Sequence, residues 1–140
     1  KIFTFGTDII PSGNNGAGGL TWFADDNFII GREGNNGTIK PMMIFYSCSK
    51  GVTKTITPAS EIKQIAEIVY DDDLDCLWIL DGDHDKILYR CDMEGNVLER
   101  FSISQIKNAE ALLLDKENGC IWIGSDEPPS KLYKFSFQQP

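Results

Sequence analysis

The chain has 140 residues, 41% hydrophobic and 24% charged, with a formal net charge of −8. That length and balance read as one folded domain with room for a core. No apolar run reaches the roughly 20 residues of a membrane helix, no basic-then-apolar leader opens the sequence, and an acidic chain without a Lys/Arg cluster disfavours nucleic acid. The acidity reads either as plain solubility or as a focused site for a cation or cationic ligand.

In chain order, residues 1–9, KIFTFGTDI, begin without an initiator Met and form a strand-like piece outside any repeat. The N-terminus discloses no compartment, and a periplasmic or secreted setting is the expectation. Gly13 to Gly19, GNNGAGG, is a flexible turn rather than a nucleotide loop, because no strand-to-helix context surrounds it. Residues 18–58 run apolar strand, acidic turn, apolar strand, loop, strand with Tyr46-x-Cys48, turn, strand. In residues 61–104, "IAEIVYD", "CLWIL", "KILYRCD" and "VLERFSI" are short runs rich in aromatic and β-branched residues, separated by turns. The only helical candidate is "PASEIKQIAEI", with Ile62, Ile65 and Ile68, and its end reads as strand. Residues 106–137 repeat the order up to a third strand.

These units are in register. Glu67 and Glu110 lie 43 residues apart, and Trp78/Trp122, Tyr89/Tyr133 and Cys76/Cys120 each 44 apart. Tyr46 and Cys48 precede Tyr89 and Cys91 by 43, and Phe28 is read as standing where the tryptophans stand. About four short antiparallel strands per 43 residues is the signature of a β-propeller blade. The fold class is therefore all-β: three four-stranded antiparallel repeats, with Glu67 and Glu110 on innermost strands and Trp78 and Trp122 between blades.

"LDCLWILDGDHDKILYRCDMEGNVLERF" resembles blades of the NHL and YWTD-type six-bladed propellers. "AEALLLDKENGCIWIGSDEPPSKLYKF" is similar to the SdiA-regulated-like and esterase-like-phytase propellers. The resemblance covers residues 60–137 well and 18–58 loosely. It departs from those families in having Ala-Glu without a following Gly and in lacking Asn-His-Arg signatures. It implies a six-bladed ring, of which three blades are half. The ring is then completed by a second chain or by further sequence, since rings close with about 4–8 blades. Ile2 to Phe5 are expected to pair with the Leu132–Phe137 strand of another chain.

The cysteines recur with the repeat and read as small buried apolar positions. With Trp78 placed opposite Tyr89, Cys76 faces Cys91, which leaves a disulfide open, and Cys120 faces Phe135. His84, the single histidine, reads as a solvated turn residue. No Gly-x-Ser-x-Gly elbow is present. The site-like groups are carboxylates: Glu67 and Glu110 facing a channel, with Asp81, Asp83, Asp85, Asp126 and Glu127 in the turns. Oxygen ligands converging from several blades suit calcium, and the same groups equally suit plain hydration of the turns. Two functions follow. The favoured one is a ligand- or protein-binding module without chemistry of its own, working as a homodimer. The alternative, which the resemblance implies, is a calcium-dependent hydrolase of the phytase, esterase or lactonase kind.

Overall fold

The computed structural model describes residues 2, 4–6, 9–11, 15–35 and 37–136. They form three antiparallel sheets. Sheet 1 runs β1 (Ala17–Ala24), β2 (Asn27–Arg32), β3 (Met42–Ser47) and β4 (Gly51–Ile56). Sheet 2 runs β5 (Glu67–Asp71), β6 (Cys76–Asp81), β7 (Ile87–Cys91) and β8 (Val97–Ser102). Sheet 3 has three strands rather than four: β9 (Ala109–Asp115), β10 (Cys120–Ser125) and β11 (Lys131–Ser136). Each sheet is a simple meander, and the first strands lie side by side, β1 against β5 and β5 against β9.

The alternation of each strand builds two interfaces. Ile29, Met43 and Phe45 of sheet 1 meet Ile68, Leu77, Ile79, Tyr89 and Cys91 of sheet 2. Cys76, Trp78, Leu80 and Leu88, on the other face of sheet 2, meet Leu112, Ile121 and Ile123 of sheet 3, with Tyr133 and Phe135 beside them. Central strands buried on both sides need apolar side chains in both phases, and all six residues of β6 are buried. "PASEIKQIAEI" forms no helix: Ile62 donates its N–H to the Ala59 carbonyl in a turn, and Ile62 and Ile65 drop into the first interface. Its counterpart before β9 does the same, with Ile106 donating to Ile103 and both buried in the second interface.

The register differs by one residue from the sequence expectation. Ile79, not Trp78, lies opposite Tyr89, and Leu77, not Cys76, lies opposite Cys91. A one-residue slip exchanges faces, so Cys76 points toward sheet 3 and Cys91 toward sheet 1. All four cysteines are free. Burial raises the thiol pKa of Cys76 to about 11 and of Cys91 to about 12, so both stay protonated near neutrality. Likewise Cys120 lies opposite Ser136, and Phe135 opposite Ile121. Phe28 pairs with Tyr46 as Ile79 pairs with Tyr89, so it does not occupy the tryptophan position.

One further expectation changes. Trp78 is 3% exposed between sheets 2 and 3, whereas Trp122 is only half-buried, on the face of sheet 3 turned away from sheet 2. Ile2, Thr4 and Phe5 lie in no strand, and Phe5 packs edge-on against Tyr46 at 5.1 Å. Lys1 and Phe3 of the expected closing strand, and Phe137 of its expected partner, lie outside the described residues.

Candidate functional site

On one side of the wedge β2, β6 and β10 end while β5 and β9 begin. The backbone comes close there. A side chain at Gly82, just past β6, would sit on the carbonyl oxygen of Ala109 at the start of β9, so the junction requires glycine. Glu33, Asp83 and Asp126 follow β2, β6 and β10, and Glu110 is the second residue of β9. Carboxylates from three successive sheets thus gather at one mouth. Burial raises the Glu110 carboxyl pKa, and the charges of Asp83, Asp126 and Glu33 push it the same way. Glu33 is raised by burial and by Asp83. Mutual repulsion at a partly desolvated site favours a bound proton or a cationic partner.

The other sequence-predicted residues divide by role. Glu67, on β5, turns Oε1 toward the chain: it accepts N–H bonds from Leu20 at 3.2 Å and Ile68 at 3.0 Å. Burial raises its pKa against those two donors. Asp81 is fully buried, and both its oxygens hold backbone. Oδ2 accepts from Lys63 at 3.2 Å and Gln64 at 3.3 Å, and Oδ1 from His84 at 3.1 Å and Asp85 at 3.3 Å. It ties the β6–β7 turn to the segment before β5. Glu127 pairs with Lys107 at 3.1 Å. His84 and Asp85 are exposed beside the mouth. Glu33 escaped the sequence reading because sheet 1 matches the repeat loosely; its place just after the second strand of its unit was the available signal.

The opposite side carries a second carboxylate group. Asp71, Asp72 and Asp73 bring their oxygens close enough to hold a cation, and a lysine takes that role. Lys116, from the β9–β10 turn, lies 2.9 Å from Asp71 and 3.0 Å from Asp73 and also pairs with Asp72. Burial opposes ionisation of Asp71, but Lys116 and the Trp78 indole N–H at 3.3 Å outweigh it and lower the pKa. The pattern recurs in sheet 3, where Trp122 Nε1 donates to Asp115 at 3.4 Å. This side is a clasp between sheets 2 and 3.

No family model matches the chain, and no curated protein does. Among solved structures, a chain from the crystal structure of a nidogen/laminin complex matches with a TM-score of 0.66 at 14% identity, over 90% of this chain and 45% of that one. The chain therefore spans about half the length of the propeller chain it matches, and its three sheets are β-propeller blades.

Proposed function

We propose that the chain is a protein-binding half-propeller, without chemistry of its own, whose acidic mouth receives a basic segment of a partner. The carrying observation is the gathering of Glu33, Asp83, Glu110 and Asp126 from three blades onto one loop face, where burial and the neighbouring charges raise the pKa of Glu33 and Glu110. The match to a chain from a nidogen/laminin complex supports a propeller that works by docking protein. The ring is completed by a second chain or by further sequence. A Lys/Arg-rich peptide titrated by calorimetry tests the reading. Binding that weakens with added salt and with Glu110→Gln supports it, and the absence of heat at low salt rejects it.

Calcium at the same mouth is the second reading, favoured by the same convergence of oxygen atoms. A hydrolase of the phytase, esterase or lactonase kind rests on that ion. A calcium titration that leaves both heat and melting temperature unchanged removes the ion and the hydrolase together.

A further inference from the structure

The β9–β10 turn, residues 116–119, reads Lys-Glu-Asn-Gly. It ends in an Asn-Gly pair. In such a pair the glycine nitrogen meets little obstruction on its way to the preceding side-chain amide, because glycine carries no Cβ. Asn118 is exposed, and a Cβ at Gly119 would meet nothing within 4 Å, so water reaches the pair. Gly119 holds a φ of +59°, and its N–H donates to the Lys116 carbonyl at 3.2 Å.

A carboxylate guards this pair. Asn118 Nδ2 donates to both oxygens of Asp115, at 2.9 and 3.0 Å, and the Asn118 backbone N–H donates to Oδ1 at 3.2 Å. Asp115 Oδ2 also accepts from the Trp122 indole at 3.4 Å and from the Cys120 thiol at 3.6 Å. The same turn supplies Lys116, whose ammonium pairs with Asp71, Asp72 and Asp73 of the neighbouring blade. Asp115 thus fixes the turn that ties sheets 2 and 3 together.

We propose that Asn118–Gly119 is a site of spontaneous covalent modification, deamidation to aspartate and isoaspartate, which Asp115 holds in check and which loosens the clasp between sheets 2 and 3 once it occurs. The Gly119 nitrogen attacks Asn118 Cγ. The N–Cγ bond forms, the Cγ–Nδ2 bond breaks, and ammonia leaves with the proton from the Gly119 nitrogen. Water then opens the resulting succinimide at either carbonyl. One opening gives aspartate, and the other gives isoaspartate, with a further methylene in the main chain. Water is the only co-reactant, and no electrons change hands.

The hydrogen bonds set the pace. With the amide held on Asp115 and the Gly119 N–H turned to the Lys116 carbonyl, the nitrogen cannot reach Cγ until the turn opens, so the reaction follows local opening. The product reverses the contact. A carboxylate at position 118 has no side-chain N–H to give and stands beside Asp115 as a like charge. Asp115 loses the Asn118 amide, the largest of the influences that hold its carboxyl below the usual range. Isoaspartate also lengthens the turn that carries Lys116. The inference is independent of what the mouth binds.

Ageing the full chain at pH 8 and about 37 °C, followed by peptide mapping with mass spectrometry, tests this. The tryptic peptide holding Asn118 should gain the mass of an amide-to-acid exchange and split into two forms, one of them a substrate for isoaspartyl methyltransferase. Asn15–Gly16 and Asn36–Gly37 fall on other peptides and are read apart. Asp115→Ala should convert at position 118 at least about threefold faster than wild type. Asp115→Asn, which keeps one acceptor oxygen, takes its place if circular dichroism shows the alanine variant unfolded. The coupling has its own readout. Asn118→Asp, at an exposed position, should lower the melting temperature at pH 7, and adding Asp115→Asn should restore it by returning a donor to the pair. Three results overturn the proposal: an Asn118 that stays intact while the urea-unfolded chain converts, an Asp115 variant that converts at the wild-type rate, or an Asn118→Asp chain that melts with wild type.

Discussion

Trp78 and Trp122 are the same residue in the same place of successive blades, each with its indole N–H on an aspartate, and they meet opposite surroundings. Trp78 is closed in by Leu112, Ile121 and Ile123, while Trp122 is half-buried, with Lys134 over its ring, on a face that no other sheet of the described residues covers. A repeat fixes what a blade offers, and burial depends on what comes next in the ring. That separation makes blade faces reusable as interfaces, since a surface evolved to be covered is complete except for its cover.

The sharpest way to break this comparison is to remove both indoles. Trp78→Ala should cost about 3–5 kcal/mol, because it empties a packed interface that collapses only partly and takes a donor from Asp71. Trp122→Ala should cost less than about 1 kcal/mol at concentrations where the chain is monomeric, as partly solvated positions do. Urea denaturation of the two variants measures the difference. Equal costs would mean that Trp122 is covered within a single chain.

The glycines sharpen the contrast. Gly82→Ala places a methyl on the Ala109 carbonyl and should cost about 1–3 kcal/mol by overpacking. At Gly124, on the open face, a new methyl would meet the Ala111 Cβ at 3.1 Å and has solvent beside it. Gly124→Ala should therefore lower the melting temperature less than Gly82→Ala does. A reversed order would place Gly124 in a packed setting.

Much of this was legible in the chain and some was not. Periodicity located the strands and blade count, because aromatic and β-branched runs between turns leave few other folds. Register was not legible in β6, because Cys76 to Leu80 is apolar and buried on both faces, so its alternation does not tell one face from the other. "PASEIKQIAEI" has helical spacing, yet tertiary burial of Ile62 and Ile65 pins it as a turn. Among the carboxylates, Glu110 feels the charges of Asp83 and Asp126, whereas Glu67, its counterpart in the repeat, accepts backbone N–H bonds instead. The backbone-binding role of Asp81 was hidden, because its donors come from residues 63–64 as well as from its own turn. Lys116 gave no local hint of pairing with Asp71, 45 positions earlier.

The smallest effect separates the two sides of the wedge by the sign of their pH response. Asp71 has a lowered pKa in the folded chain, so its contribution to stability is present above the unfolded value of about 3.9 and is lost as pH falls through the folded value. Glu33 and Glu110 have raised values. Their folded forms bind protons more readily than the unfolded chain, so the stability they contribute is present below about pH 4.3 and is lost as pH rises through the folded values. Glu110→Gln, which stays neutral, should therefore melt higher than wild type at pH 7 and together with it near pH 4. Lys116→Met should melt lower at pH 7, with the gap narrowing below pH 4 as Asp71 takes up its proton. Calorimetric scans from pH 3 to 8 follow both variants. Shifts of the same sign at pH 7 would mean that the mouth carboxylates are held by partners as the clasp is, and would remove the electrostatic basis for a cationic ligand there.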